Sequence, residues 1–386
     1  MTARIDVKFL VGLLVGALVT AVLAFLLAGP GDDGDGSSRA SGNGPAATGD
    51  GGDPADKGQD DKRQDGDDRG GDDVFTPGPG FDLPVPDGEG KVTCPSPTKA
   101  VSDTRELEDA LRSARPGDVI RMNAGTYEGT FVATTSGTAR QPIFLCGGPD
   151  AVLDGGGIRK GYAFHLDKAA HWRLVGFTVR NSQKGVMADT TTGSIVQGLT
   201  VHDIGDEAIH LRNFSTRNTV QYNKIYNTGK RREKFGEGVY LGTAQSNWKQ
   251  VSGGRVDNSD FNVVRGNVIR ATAEAIDIKE GTKGGRIVGN VFDGSAMGGG
   301  KVNDSWVDVK GNGYLIEGNR GTGTLADGFQ THEIVNGWGT GNVFRRNIID
   351  LAGGDGVGVN DTAGGNTVAC DNKVTGGPLL TKGTCA

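Results

Sequence analysis

Gly266-Asn267-Val268-Ile269 and Gly289-Asn290-Val291-Phe292 are two copies of one short element, and its recurrence decides the fold. Gly318-Asn319 and Arg346-Asn347-Ile348-Ile349 repeat it, and Asn223 before Ile225 and Asn372 before Val374 extend the series. Gly176-Phe177-Thr178-Val179 and Gly198-Leu199-Thr200-Val201 are earlier copies without the asparagine. The spacing is 22 to 29 residues, except between Asn223 and Asn267, where two loops are inserted. Each unit holds short strands with apolar residues two apart, too short to bury themselves, so the units must stack. Strands joined by such turns, without crossover helices, predict an all-β, right-handed parallel β-helix. The recurrent asparagine then forms a hydrogen-bonded ladder at one turn.

An open solenoid end exposes unpaired backbone and needs cover. Asp103-Thr104-Arg105-Glu106 has the pattern of a helix start. Leu107, Ala110, Leu111 and Ala114 line one face before Arg115-Pro116-Gly117 stops it, so a short N-terminal capping helix is expected. Composition agrees with the fold. The 386 residues include 67 glycines, which excludes a helical bundle, because glycine costs about 1 kcal/mol per helix-interior site.

Charge is unevenly placed. Between Gly31 and Asp73, thirteen aspartates and five basic residues give −8, so the rest of the chain carries +2 of the total −6. Residues 30–90 therefore read as a disordered Asp/Gly-rich linker, and the near-neutral remainder, residues 91–386, as the β-helix domain. Ahead of the linker, Arg4 and Lys8 precede an apolar run from Phe9 to Ala28, about the 20 residues a bilayer-spanning helix needs. The expectation is a single-pass anchor over residues 1–29 in the cell membrane with an extracellular β-helix; a cleaved segment would leave the domain secreted. In that compartment the four cysteines pair rather than bind metal, with Cys94–Cys146 and Cys370–Cys385 as the expected end pairs.

Aligning the first strands of successive units gives the rows Lys184–Asp189, Glu207–Arg212, Glu237–Gly242, Glu274–Lys279, Ser305–Lys310, Asp327–His332 and Asp355–Asn360. Alternation sends Ile209, Val239, Ile276, Val307, Phe329 and Val357 inward and their neighbours outward. The outer face carries His210, Tyr240, Asp277, Asp308 and Gln330 in one column, and Arg212, Gly242, Lys279, Lys310, His332 and Asn360 in the next. An acidic column, Glu207, Glu237 and Glu274, then Ser305, Asp327 and Asp355, runs just before the strands, and Glu274 needs a bend to reach solvent. Coils roughly 4.8 Å apart bring Glu237 and Glu274 within reach of one hard cation, with Asp277 beside them, a set suited to Ca²⁺. Adjacent Lys279 and Lys310 would repel, depressing one ammonium toward the range of a general base; pairing with Asp277 or Asp308 is the alternative. Trp306, outward by alternation, and Tyr240 are candidate sugar platforms, and Trp248 and Trp338 lie in loops. Lys230-Arg231-Arg232-Glu233-Lys234 could grip an anionic chain.

Glu274-Ala275-Ile276-Asp277-Ile278-Lys279 resembles the Glu-Ile-Ile-Ser-x-Lys motif of the polysaccharide lyase group containing chondroitinase B and alginate lyases. One unit on, Val307-Asp308-Val309-Lys310-Gly311-Asn312 looks like that family's Leu-Thr-Leu-Arg-His-Gly stretch. Arg115 to Ile120, Ala124 to Tyr127 and Gln141-Pro142-Ile143 are similar to its opening. The resemblance implies β-elimination on a uronic-acid polysaccharide, with Lys279 as base, Glu274 as calcium ligand and Lys310 in the place of an assisting arginine. Arg212 and His332 complete the candidate catalytic set, and Asp308 joins Tyr240 and Trp306 as candidate substrate contacts. The chain differs in having Thr272 where a second glutamate ligand is expected, leaving that role to Glu237, and Asp277 where a small hydroxyl residue is expected. Rival functions are a β-helix glycoside hydrolase using two carboxylates from Glu237, Glu274 and Asp277, and a non-catalytic, surface-tethered polysaccharide-binding or adhesive β-helix. The expected partner is an acidic polysaccharide, bound by a monomer. Nucleic acid has no support from a near-neutral domain with one short basic loop.

Overall fold

Short apolar strands, each followed by a turn, stack here into three parallel sheets of eleven, nine and ten strands, a β-solenoid of about ten turns. The computed structural model describes residues 90–298 and 304–386. The expected anchor (1–29) and all of the expected linker but Gly90 lie outside the described residues. Among the described residues no helix is long and apolar enough to cross a membrane. Helix Thr104–Arg112, capped by the Asp103 side chain on the Glu106 N–H, buries Leu107, Ala110 and Leu111 against strands of the first coil. Disulfides join Cys94 to Cys146 and Cys370 to Cys385.

Register follows the inward apolar column. Val186 pairs with Ile209, Ile209 with Val239, Val239 with Ile276, Ile276 with Val307 and Val307 with Phe329. All are buried, because a slip of one residue would turn each of them out to water. The last row departs from expectation by two residues. Phe329 pairs with Val359 and Gln330 with Asn360, so Asn360 lies beside Gln330 and not beside His332. Asp355 is likewise no part of the acidic column: the Val357 N–H fills that place and donates to Asp327 Oδ1 at 2.7 Å.

The asparagine ladder forms as the repeat predicts. Asn267 Oδ1 accepts from the backbone N–H of Asn223 at 3.0 Å and from its side-chain amide at 2.9 Å, while Asn267 Nδ2 donates to Val220 O at 3.0 Å. The same exchange passes through Asn290, Asn319 and Asn347 to Asn372. A second column, at the turn leading into the eleven-stranded sheet, places one residue per coil at positive φ. Gly193, Gly284, Gly313, Gly341 and Gly365 fill it at five coils, but His171, Arg217 and Phe261 occupy it too. The left-handed conformation costs a bulky L-residue about 1–3 kcal/mol, so glycine is the unstrained choice there.

Candidate active site on the nine-stranded sheet

The outer face of the nine-stranded sheet collects the charged columns. Strands Val239–Leu241, Ile276–Ile278 and Ser305–Val309 form its centre. Ahead of the first two, the backbone bends at Gly238 and Ala275. That bend inverts the alternation, which is how Glu237 and Glu274 reach the outer face despite sharing parity with buried residues. The same inversion corrects the expectation for Trp306. Standing in the column of Gly238 and Ala275, its indole turns into the core, 1% exposed, against Phe292 and Phe329. Gly321, Gly328 and Gly294 leave the room, since an added Cβ would lie 2.5, 3.1 and 2.9 Å from the indole. Trp306 is therefore no sugar platform.

Carboxylate atoms of Glu237, Glu274 and Asp277 lie within 4.8 Å of one another, all buried. Asp277 also sits between the two lysines: Lys279 Nζ is 2.6 Å from its Oδ2 and Lys310 Nζ is 3.0 Å from its Oδ1. Lys310 Nζ also bonds Asp308 Oδ2. The expected depression of the Lys279 pKa is consequently reversed. Burial pulls the Lys279 ammonium down, but the charge and hydrogen bond of Asp277, backed by Glu237 and Asp308, hold it above the ordinary lysine value. Lys310 is raised in the same way, burial being outweighed by Asp277 and Asp308. Burial opposes ionisation of Asp277 as well, yet the two lysines keep its carboxyl below the usual range.

The glutamates behave oppositely. Burial, then the charges of Asp277 and Asp308, push Glu274 up to about 8. Burial with Glu207 and Glu274 raises Glu237 well above a free carboxylate. Glu237 Oε2 is buried without a partner. Fully ionised, four carboxylates (Glu237, Glu274, Asp277, Asp308) would outnumber two ammoniums, so without a further cation the two glutamates hold protons. An all-oxygen donor set with an orphaned oxygen, whose glutamates can exchange protons for a metal ion, fits a hard divalent cation such as Ca²⁺.

The remaining candidates flank this centre. Tyr240 lies under Lys279, whose Nζ is 4.8 Å from the ring centroid. Burial, then Asp277 and Glu237, hold its phenol well above the ordinary value. His332, a third exposed, sits beside Lys310, with Nε2 2.8 Å from Gln330 Oε1 and 3.4 Å from Asp308 Oδ1. Arg212 is not brought to the centre. Its Nε donates to Asp189 Oδ1 at 2.9 Å, two strands from Lys279, or about 10 Å. Gly242 opens no gap beside Lys279, because an added Cβ there would lie 2.5 Å from Thr282.

A network not singled out in the sequence continues the face. Lys184 Nζ pairs with Glu207 Oε1 at 3.1 Å, and His210 Nε2 donates to Gly242 O at 2.9 Å. Burial and the charges of Lys184 and Arg212 keep the His210 imidazole neutral. The sequence does carry a signal for it: Lys184 occupies the acidic column's position one coil before Glu207, so it supplies that column's cation. On the flank, Thr272 and the loop residues Lys230, Arg231 and Glu233 border a cavity of about 600 Å³. Lys230 is paired with Asp203 at 3.0 Å and Arg231 with Asp206 at 2.6 Å. Trp248 is half-buried, its Nε1 donating to Thr243 O at 2.9 Å. Trp338 is half-buried too.

No protein-family model and no curated protein matches the chain. Among solved structures, an alginate lyase from Paenibacillus sp. str. FPU-7 is 34% identical with a TM-score of 0.70, over 74% of this chain and 98% of that one. Pectate lyase Pel9A is 15% identical with a TM-score of 0.55, over 75% of this chain and 79% of that one. A polygalacturonase from Erwinia carotovora ssp. carotovora is 10% identical with a TM-score of 0.52, over 77% and 98%. The last two share the fold alone. The identity to the first, across nearly its whole length, places this chain in the parallel β-helix polysaccharide lyases.

Proposed function

We propose that this protein cleaves an acidic, uronate-containing polysaccharide, alginate in the first instance, by β-elimination on the outer face of the nine-stranded sheet. The observation that carries this is the Lys279–Asp277–Lys310 bridge beside Glu237 and Glu274, in a chain 34% identical to an alginate lyase. Elimination needs the uronate carboxylate neutralised, the proton alpha to it removed, and the leaving oxygen protonated. Ca²⁺ held by Glu237, Glu274 and Asp277 would neutralise the substrate carboxylate and offset the carboxylate charge that keeps Lys279 protonated. Lys279, the less buried of the two lysines, is assigned the proton abstraction. It must first give its ammonium proton to solvent and release its bond to Asp277. The proton it then takes from the sugar is passed to the departing glycosidic oxygen. Lys310, held between Asp277 and Asp308, keeps its charge and supports the developing negative charge. His332 and Tyr240 border the same space and orient the sugar; Arg212, tied to Asp189, contacts the chain farther along. The apolar run Phe9–Ala28 supports placement at the cell surface, with the solenoid outside.

The test is incubation of the full chain with alginate, polygalacturonate and chondroitin-type polymers, following ultraviolet absorbance of an unsaturated uronide. Absorbance rising with one polymer supports elimination. Reducing ends without absorbance would make it a hydrolase, and binding without any product would make it an adhesive β-helix.

A further inference from the structure

Arg217 and Phe261 break the glycine rule of the left-handed column side by side. Thr219 pairs with Val263, so Arg217 (φ 55°) and Phe261 (φ 58°) are neighbours in register, and the guanidinium carbon lies 5.0 Å from the ring centroid. Bulky residues are strained there, and the strain gains no core packing, because Phe261 remains 41% exposed. On its other side stands Gly284, where an added Cβ would lie 2.6 Å from the ring. A second pair adjoins the first. Arg255 covers Phe214 (φ 67°) at 4.3 Å. The loop carrying Arg255 is tied to that turn by the buried Asp257, which accepts from the Asn213 and Phe214 N–H groups at 2.7 Å each. Arg217 and Arg255 are exposed, and among the described residues neither has a carboxylate within ion-pair distance. This turn follows directly on Arg212, at the edge of the candidate catalytic face.

We propose that the Arg217–Phe261 and Arg255–Phe214 pairs form an accessory surface that grips a polyuronate chain beyond the sugars at the reacting centre. A uronate offers an apolar pyranose face with a carboxylate at its edge. An exposed aromatic flank beside a guanidinium that makes no close ion pair, Arg217 acting on Asp260 only at longer range, is complementary to both. Strain held at an exposed position is accounted for by a ligand that uses it. The inference rests on the polyuronate substrate proposed above.

Arg217→Gly and Phe261→Gly restore the rule of the column, so thermal stability should stay level or rise. Binding of an alginate octasaccharide, measured by calorimetry in a Lys279→Ala background to prevent turnover, should weaken about tenfold, whereas binding of a tetrasaccharide should not change. Equal weakening at both lengths, unchanged octasaccharide binding, or lower stability with unchanged binding would each overturn the accessory surface. Wild-type protein that neither binds nor cleaves alginate or any other polyuronate would overturn the substrate assignment and this surface with it. Wild-type cleavage without a length-dependent defect in the variants would overturn this surface alone.

Discussion

Two stacked columns of buried polar side chains run along this solenoid, and they solve the same problem in opposite ways. In the asparagine ladder each amide both donates and accepts, so Asn223 to Asn372 close on one another and on backbone carbonyls. On the nine-stranded sheet the column is Glu207, Glu237 and Glu274, acceptors only once ionised. Carboxylates cannot satisfy each other, and Glu207 Oε2, Glu237 Oε2 and Asp308 Oδ1 are left buried without hydrogen bonds. A self-sufficient column holds the fold. A deficient one draws on the cations Lys184, Lys279 and Lys310 and on protons held by its own glutamates. The two columns stand at different corners of each coil, ahead of the ten-stranded and the nine-stranded sheet, and they differ in donor capacity.

The comparison breaks most readily at Lys279. Lys279→Ala should lower turnover per folded molecule by about 10²–10⁴-fold and, by removing one of the two ammoniums on buried Asp277, should also lower the melting temperature, read by uronide absorbance and calorimetric unfolding. Substantial activity in the variant would remove the lysine from the chemistry. Trp306→Ala should act on stability alone. Emptying a buried indole site costs about 3–5 kcal/mol of stability, while KM for the polymer per folded molecule should hold; a selective rise in KM would return Trp306 to the binding face. Asn267→Asp sharpens the contrast within the ladder, because it changes one donor into an acceptor at constant size. The introduced carboxylate would face the Val220 carbonyl without a proton to give, at a cost of about 2–4 kcal/mol near neutral pH. Denaturation at pH 4, where a carboxylic acid can donate again, should recover part of that loss.

The fold is legible because its signals are local and repeated: Gly-Asn at each second strand, apolar residues two apart, and glutamates one step ahead of the first strands. The Glu237–Glu274–Asp277 grouping follows from register together with a bend ahead of the strands. Trp306 is misplaced when alternation is carried through a backbone bend, although the same bend brings Glu274 outward. The final row slips by two residues because Val357 and Val359 are equally apolar, and only the pairing with Phe329 chooses between them. The state of Lys279 is not legible either. Repulsion from Lys310 can be weighed from sequence, but the position of Asp277 between the two ammoniums, which reverses the sign of the shift, is a matter of side-chain geometry. The left-handed column containing Arg217 and Phe261 has a sequence trace only in hindsight, as glycines missing from two adjacent turns.

The smallest expected effect concerns the deficient column without its ligand. Glu274 has a folded pKa of about 8 against an ordinary 4.5, so the folded state binds its proton more tightly than the unfolded chain does. Its contribution to stability is therefore complete below about 4.5 and is lost as the pH rises to about 8. In chelator the melting temperature should fall across that window. Ca²⁺ competes with those protons, so it should raise the melting temperature more at pH 8 than at pH 5, and its binding at neutral pH should release protons into the buffer. At a calcium concentration about a hundredfold above Kd the stabilisation approaches about 2.7 kcal/mol. Glu274→Gln, neutral at every pH and similar in shape, should flatten the pH slope and weaken the calcium response together. A calcium shift that survives in Glu274→Gln at full size would place the ion elsewhere. A wild-type protein equally stable at pH 5 and pH 8 in chelator would mean that neighbouring cations already satisfy the glutamates, and the contrast with the asparagine ladder would fail at its acidic end.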